Sequence, residues 1–419
     1  MKFLHAADIH LDSPLRGLQR YEGAPVEQIR QATRKALENL VTLAVEERVD
    51  FLLIAGDIYD GDWKDYNTGL FFHAQMVKLQ EADIPVFLIA GNHDAANRMT
   101  RSLRLPSGVH MFSDEEPQTI LLDDFGVAIH GQSFATAAVT EDLAQRYPMA
   151  VRNVFNIGLL HTSATGREGH ERYAPCTVEG LRSKQYNYWA LGHIHQPEVL
   201  READPLIVFP GNLQGRHIRE TGPRGCSLVT VDSHGNIKTR FQPLDVFRWE
   251  LCRVDCTAAD SPDDIVYLFD TQLTHLLRQH ENMPLAVRVL LEGACPAHER
   301  LAAKADRWKN EIRATATERS QGLVWIEKIK IHTLNPATHS VSQEGPMGEL
   351  LQFLQELQQH PAELGELSGC LEELLKKLPP ELTAGADSLG LDNPQRLAQM
   401  MAEVEGLLLG HFVTHGGDR

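Results

Sequence analysis

Phe3-Leu4-His5-Ala6-Ala7-Asp8-Ile9-His10-Leu11-Asp12-Ser13 begins as an apolar run and breaks at once into side chains that bind metals. The same break recurs along the chain. Phe51–Gly56 runs into Asp57, Val86–Gly91 into Asn92-His93-Asp94, Phe155–Leu160 into His161, and Tyr188–Gly192 into His193-Ile194-His195. Each run has the length and composition of a buried strand. Between them, Gln28–Glu46 and Tyr66–Ala82 have helical spacing. Strands alternating with helices predict a layered α/β domain. Later strands are expected at Val127–His130, Leu206–Phe209, Ser227–Val231 and Ile237–Phe241, the last two joined by the turn 232–236. A parallel-type sheet collects the ends of its strands along one edge, where ligands bind. That edge should gather the oxygens of Asp8, Asp57 and Asn92 with the imidazoles of His10, His161, His193 and His195.

This donor set has a definite chemistry. Asp8 and His10 stand two apart, so on a strand they share a face. Asp57 has two oxygens and can serve two cations. Mixed oxygen and imidazole ligands suit Mn²⁺, Fe²⁺ or Zn²⁺ rather than Ca²⁺. Two such ions about 4 Å apart activate a water and neutralise a phosphate oxygen. His93 follows a ligand without belonging to the set, so it is free to give a proton or hydrogen bond to a leaving oxygen. Gly56, Gly91 and Gly192 directly precede ligands and allow sharp turns and close approach. An isolated Asp-x-His is ordinarily structural. It is the full series, each piece at a strand end, that points to a two-metal phosphoester centre. His5 and His73 are read as structural. His130 also ends a strand but has no companion ligand.

The chain has 419 residues, 42% of them hydrophobic, enough for more than one domain and a sizeable core. Residues 1–245 carry all the metal motifs. Residues 246–335 look like a small α/β unit, with strands at Trp249–Val254, Ala286–Leu291 and Val324–Ile331 and helices at Asp263–His280 and Ala297–Thr317. After the polar stretch Asn335–Gly345, residues 346–419 read as helices with apolar stripes, broken by Pro361, Pro379-Pro380 and Asn393-Pro394. The 6 cysteines (Cys176, Cys226, Cys252, Cys256, Cys295 and Cys370) form no paired metal pattern and are expected as buried thiols of a reducing cytosol. Asp8 and His10 interrupt the N-terminal apolar run, and no run is long enough to span a bilayer, so a cytoplasmic protein without a membrane partner is expected. The net charge of −17 counts against coating nucleic acid by bulk electrostatics. The charge is uneven: residues 345–419 hold 12 acids and 4 bases, a net of −8. Arg98, Arg101 and Arg104 follow the Asn92-His93-Asp94 turn, and Arg216, His217, Arg219 and Arg224 follow Pro210-Gly211-Asn212. A basic rim around the metals follows from that placement. Arg98, Arg101, Arg104, Arg216 and His217 are the candidate substrate contacts.

The motif series resembles the calcineurin-like metallophosphoesterase superfamily, whose pattern D-x-H, G-D, G-N-H-[DE], H, G-H-x-H is complete here. Within it, residues 5–15, Gly192-His193-Ile194-His195-Gln196-Pro197 and Phe209-Pro210-Gly211-Asn212 are similar to SbcD-type DNA repair exonucleases, most of all the YhaO-like branch. The resemblance is firm over 1–245. It implies a four-layer α/β sandwich with a small α/β second domain and a helical C-terminal region. It also implies that Asp8, His10, Asp57 and His195 hold one metal, that Asp57, Asn92, His161 and His193 hold the other, and that His93 is catalytic. The implied cofactor is a pair of divalent ions, Mn²⁺ foremost, with Fe²⁺ or Zn²⁺ as alternatives. The implied partners are DNA and an ATPase with an SMC-like coiled coil. The C-terminal stripes are expected either to pack on the chain itself or to dock that coiled coil or a second copy. Related archaeal and eukaryotic nucleases carry a second histidine three residues after the bridging aspartate; here Asp60 stands there, and Gly61–Asn67 also departs from the Pro-Ser turn of many relatives. The expected function is a two-metal phosphodiesterase, a DNA nuclease acting in repair. A phosphatase or phosphodiesterase for small substrates, and a scaffold that retains its metals, are the alternatives.

Overall fold

The structure is a computed structural model that describes residues 1–13, 26–60, 66–95, 105–164, 174–280, 283–336, 349–350, 352–354 and 356. Arg98, Arg101 and Arg104, and nearly all of the C-terminal stripes, lie outside the described residues. By compactness the chain divides into two units. The first comprises Met1–Leu251, Gln279–Arg288 and Ser320–Lys328, and the second Cys252–Arg278, Val289–Arg319 and Ile329–Arg419.

The first unit begins β1 (Lys2–Ala6), α1 (Val26–Glu47), β2 (Phe51–Ala55), α2 (Tyr66–Glu81), β3 (Val86–Ile89), α3 (Asn92–Ala95) and β4 (Val109–Met111). It continues with β5 (Gln118–Leu122), β6 (Val127–Gly131), β7 (Phe155–His161), α4 (Val178–Ser183), β8 (Tyr188–Gly192), β9 (Glu198–Glu202), β10 (Leu206–Phe209), β11 (Gly225–Val231) and β12 (Ile237–Pro243). These strands make two sheets, ordered β12-β11-β1-β2-β3-β4 and β5-β6-β7-β8-β10-β9. β1 to β4 run parallel, as do β6, β7, β8 and β10. The strands joining antiparallel are β11 and β12 in the first sheet and β5 and β9 in the second.

Alternation along the strands explains the layering. Phe3, Phe51, Leu53 and Phe87 of the first sheet meet Ile129, Ile157, Leu159, Tyr188 and Ala190 of the second in one core. Leu4, Leu52, Ile54 and Leu88 point the other way, onto Leu37, Leu40, Phe72 and Met76 of α1 and α2. Trp189, Leu191 and Ile207 cover the far face of the second sheet with Leu143, Tyr147 and Leu181. Each large apolar side chain so buried contributes about 1.5–3 kcal/mol. This is the expected four-layer α/β sandwich.

Two departures from the sequence reading have physical causes. The single collecting edge is in fact two: β1, β2 and β3 lie in one sheet, β7 and β8 in the other. Continuous apolar runs mark strands buried on both faces, whichever sheet they enter. β4, β5 and β9 were not expected. They are short and half-exposed, so they present no apolar run.

The chain goes on with β13 (Arg248–Asp255), α5 (Pro262–Gln279), β14 (Leu285–Ala294), α6 (His298–Ala303), α7 (Ala305–Ser320) and β15 (Val324–Leu334). The strands form a sheet ordered β13-β14-β15. The one helix expected at Ala297–Thr317 is two, because Lys304 leaves helical geometry at φ −134° and ψ 42°. Ser261 and Asp264 cap α5 reciprocally: Ser261 N donates to Asp264 Oδ2 at 2.8 Å, and Asp264 N donates to Ser261 Oγ at 3.3 Å. The five cysteines among the described residues are buried free thiols. No helix among the described residues is long and apolar enough to cross a membrane.

His5 illustrates a histidine that belongs to the core. It lies fully buried, with Nδ1 2.9 Å from Tyr188 Oη and Nε2 3.1 Å from the Leu191 carbonyl oxygen. Burial pushes its pKa from 6.5 down to about 3, so it is neutral in the folded protein. An unfolded chain binds a proton here below pH 6.5, and the folded chain does not until about pH 3. Stability is therefore lost as pH falls through that window. In His5→Gln the pH dependence of unfolding free energy should flatten there by up to about 1.4 kcal/mol per pH unit. Urea melts of metal-free protein read this directly. An unchanged slope would mean that the buried imidazole takes up its proton without unfolding.

Candidate active site

The metal motifs converge, but not by strand alternation. β1 ends at Ala6 and β2 at Ala55, so Asp8, His10 and Asp57 lie on the loops beyond them. These loops have left-handed backbone: φ is 50° at Asp8, 46° at His10, 52° at Asp57 and 102° at His193. Such geometry costs free energy at a non-glycine residue and persists where its surroundings impose it. Here the two loops are stitched together. Asp8 N donates to Gly56 O at 3.0 Å, His10 N to Asp57 O at 3.0 Å and Leu11 N to Ile58 O at 2.9 Å. Asp94 adds a clamp. Its buried carboxylate accepts from Ile58 N (3.1 Å), Tyr59 N (2.9 Å) and Gly91 N (3.0 Å). A Cβ on Gly192 would overlap the Ala55 carbonyl oxygen, and one on Gly91 the Asp57 carboxylate. Glycine is required at both places by close approach.

The side chains fall into two groups that share Asp57. On one side, Asp8, His10 and His195 bring ligand atoms within 4.8 Å of one another. On the other, Asp57, His161 and His193 do the same, and Asn92 Oδ1 stands 3.0 Å from His161 Nε2. Asp57 Oδ2 lies between the groups, 3.9 Å from His10 Nε2 and 3.5 Å from His161 Nε2. All seven expected ligands are therefore brought together.

The hydrogen bonds around these imidazoles test whether metals fit. His161 Nδ1 donates to Ala55 O at 2.9 Å, so Nε2 is the nitrogen left to take a proton or a metal. It faces two acceptors, Asn92 Oδ1 and Asp57 Oδ2. His195 Nδ1 donates to Glu220 Oε1 at 2.6 Å, which leaves its Nε2 as a lone pair 3.1 Å from His10 Nε2. In the metal-free protein protons bridge such pairs, and the separations are also those between neighbouring ligands of one ion. The residues fit a pair of divalent metals.

The electrostatics of the metal-free protein say the same. Burial raises Asp8 to about 6 against the pull of His195 and His161. Burial also works against the charge of Asp57, but His161 outweighs it and holds the carboxylate below its usual range. The converse is that burial lowers His161 while Asp57 and Asp8 raise it, to a net of about 9. A proton shared by this cluster stands where a cation would otherwise neutralise it.

His93 lies beside the ligands: its ring packs edge-on against that of His10 with centroids 4.9 Å apart, and its ligand atom stands within 4.8 Å of those of His10 and Asp60. Its backbone N–H donates to Asp57 Oδ1 at 3.0 Å, and its side chain is 38% exposed. Nδ1 pairs with Asp60 Oδ1 at 2.8 Å, which leaves Nε2 outside that pair. Burial lowers its pKa, but the Asp60 hydrogen bond and the charges of Asp57 and Asp60 win, and the net shift is upward. Of the basic candidates, Arg216 is 14% exposed and paired with Asp60 and Glu220, whereas His217 is 53% exposed and 3.6 Å from Glu220. His130 is held by Thr119 and Asn156 and stacks on Tyr186, with no metal-binding partner. Sequence reasoning did not assign Asp60, Asp94 or Glu220 a role. Asp60 stands three residues after Asp57 and Asp94 two after Asn92, so proximity to a ligand was an available signal. Glu220 lies 25 residues from the histidine it holds and gave none.

Comparison with known proteins agrees with this geometry. The family model for calcineurin-like phosphoesterases matches residues 1–197, and one described as the middle domain of metallophosphoesterase YhaO matches residues 249–334. The chain is 32% identical over 374 residues to an uncharacterized metallophosphoesterase YhaO of Bacillus subtilis (strain 168), covering 86% of this chain and 91% of that protein. Among solved structures, a dimetal phosphatase from Danio rerio aligns with TM-score 0.38 and 12% identity over 58% of this chain and 96% of its own. GAP50, the anchor in the inner membrane complex of Plasmodium, aligns with TM-score 0.35 and 13% identity over 58% of this chain and 84% of its own. With a relative 32% identical over most of both chains and the family's motifs gathered around Asp57, this protein belongs to the calcineurin-like metallophosphoesterases, in their YhaO-like branch, and is a metal-dependent phosphoester hydrolase.

Proposed function

We propose that this hydrolase is a two-metal phosphodiesterase that cleaves DNA. The observation that carries the two-metal reading is the position of Asp57 Oδ2 between His10 Nε2 and His161 Nε2, at 3.9 and 3.5 Å. Asp8, His10, Asp57 and His195 would hold one ion and Asp57, Asn92, His161 and His193 the other, with Mn²⁺ the first candidate for this donor set. When bound, the ions supply Lewis-acid activation of water and neutralise phosphate charge. The chain's own residues do the rest. Asp94 and the loop hydrogen bonds preform the geometry, so little ordering is left for the moment of reaction. Asp60 holds His93 by Nδ1, which leaves Nε2 to assist a departing alkoxide.

The choice of DNA rests on the likeness of residues 5–15 and 192–197 to SbcD-type exonucleases and on the basic residues that follow the metal motifs. The same reading includes a cytoplasmic complex with an SMC-like coiled-coil ATPase. The net charge of −17 favours a second reading, a phosphodiesterase for small substrates. Purified protein with Mn²⁺ on end-labelled single- and double-stranded DNA and on cyclic nucleotides separates the two, with an Asp57 variant as blank. Metal-dependent degradation of DNA supports the first reading. Turnover confined to cyclic nucleotides moves the conclusion to the second.

Changing Arg98, Arg101 and Arg104 to Glu tests the basic rim. DNA binding should weaken more than hydrolysis of a small diester. Each lost phosphate contact removes about 0.9 from the slope of log affinity against log salt on duplex DNA. Three lost contacts should flatten it by up to about 2.7. Wild-type slope and affinity would make the triplet a solvated face.

A further inference from the structure

Both terminal nitrogens of Arg216 point at carboxylates. Nη1 lies 3.2 Å from Asp60 Oδ2, and Nη2 lies 3.5 Å from Glu220 Oε1 and 3.3 Å from the His195 Nδ1 that Glu220 holds. The two acids have different clients. Asp60 Oδ1 holds His93 Nδ1 at 2.8 Å. Glu220 Oε1 accepts from His195 Nδ1 at 2.6 Å, while Oε2 accepts from Asn212 Nδ2 at 3.0 Å and from the Arg216 backbone N at 2.7 Å. Ser13 Oγ donates to Asp60 as well. The result is one continuous chain of contacts, His93–Asp60–Arg216–Glu220–His195. It runs from the histidine outside the ligand set to a histidine inside it. Arg216 and Glu220 are 14% and 5% exposed, so solvent screens these contacts far less than surface pairs.

We propose that Arg216 is a positioning residue that locks His93 and His195 into one rigid unit through Asp60 and Glu220. The reading of His93 as the leaving-group histidine, made above, underlies this inference. A planar guanidinium suits the task, because its fork meets two carboxylates at fixed angles. A lysine is a point charge and cannot hold both acids in that geometry. With no cation between them, Asp60 and Glu220 would be two partly buried acids free to drift apart. His93 and His195 would then lose their common frame, and misplacement by about 1 Å costs about 10²-fold in rate. An arginine waiting for a substrate phosphate would present its terminal nitrogens to solvent; here both are engaged.

The test uses the full chain, four single variants and one double variant. Arg216→Gln should lower kcat on an alkyl phosphodiester by about 10- to 100-fold, with a smaller loss on a nitrophenyl diester, which needs less help at its leaving oxygen. It should also raise the Kd for Mn²⁺, measured by titration calorimetry without substrate, by about tenfold, because an unsupported His195 is a poorer ligand. Arg216→Lys, which keeps charge and folding, should recover only part of either loss. Because Arg216 reaches His93 through Asp60, the pair Asp60→Asn/Arg216→Gln, compared by kcat at saturating Mn²⁺ so that the His195 route does not enter, should be little slower than Asp60→Asn alone. A raised KM with unchanged kcat and unchanged Mn²⁺ affinity would make Arg216 a substrate contact and overturn the proposal. So would full recovery in Arg216→Lys, or losses that add in the double variant. His93→Ala in the same panel keeps the two readings apart. If that variant shows no leaving-group dependence, the role of His93 fails and takes the coupling with it. If it shows the dependence and Arg216→Gln shows none, the coupling alone fails.

Discussion

Asp57→Asn abolishes turnover and strips the protein of both metals. The reason lies in where the two carboxylate oxygens are. Oδ2 stands between His10 Nε2 and His161 Nε2, and Oδ1 accepts the His93 backbone N–H at 3.0 Å. An asparagine has one oxygen for these two tasks. If that oxygen keeps the His93 N–H, the amide nitrogen turns toward the imidazoles and donates into lone pairs that would otherwise bind metal. If the oxygen turns inward, the His93 N–H faces another donor. In both orientations the site loses its bridging negative charge. Both ions depend on that charge, since the neutral side chains Asn92, His10, His161, His193 and His195 otherwise leave only Asp8. The fold should survive, because a buried carboxylate is replaced by a group of the same size that costs less to desolvate. The expected result is therefore a folded protein whose metal-free melting transition is lowered by loss of the charge that holds His161, with no activity and metal content near zero by mass spectrometry. Two metals per chain and near-normal turnover would refute the bridging assignment.

How much of this was legible in the sequence depends on the range of the interaction. The strands that feed the site are continuous apolar runs, and they were readable because burial on both faces removes polar residues. The ligands were readable because each stands at the end of such a run. What the runs could not reveal was which sheet each strand joins. A strand sandwiched between a helix layer and a second sheet looks the same in either. The reason Asp8 and His10 meet was also misjudged. They lie past the end of β1, on left-handed backbone held by Gly56, Asp57 and Ile58 from the next strand's loop. That device leaves no local signature, since left-handed Asp and His residues look like any others in sequence. Glu220 is the clearest case. It is a buried acid because His195, Asn212 and Arg216 all donate to it, and burial alone would raise its pKa while these partners hold it low. Arg216 is only four residues away, but His195 is 25 residues back, and nothing local points to that pairing.

His93→Ala should retain both metals and lose most of the rate. Retention follows from geometry. The hydrogen bond that His93 makes to the ligand set is its backbone N–H on Asp57 Oδ1, and alanine keeps that donor while losing the edge-on packing of the ring against His10. The imidazole's own hydrogen bond is to Asp60, and Asp60 still has Arg216 and Ser13 in the variant. Rate loss follows from chemistry. With Nδ1 committed to Asp60, Nε2 is the nitrogen left to meet a departing oxygen. The upward shift of its pKa, which Asp60 and Asp57 impose against the effect of burial, favours the protonated form. General-acid assistance of this kind is worth about 10²–10⁴-fold, or about 2.7–5.4 kcal/mol of barrier. A proton is most needed where the leaving alkoxide is most basic. The loss should thus be largest on an alkyl phosphodiester such as a DNA strand, and should shrink toward the lower end on a nitrophenyl diester, whose phenolate departs unaided. Steady-state rates on the two substrates, with metal content measured on the same preparation, decide the matter. An equal loss on both would mean that His93 orients the phosphate rather than the leaving group, and a loss of metal would return it to the ligand set.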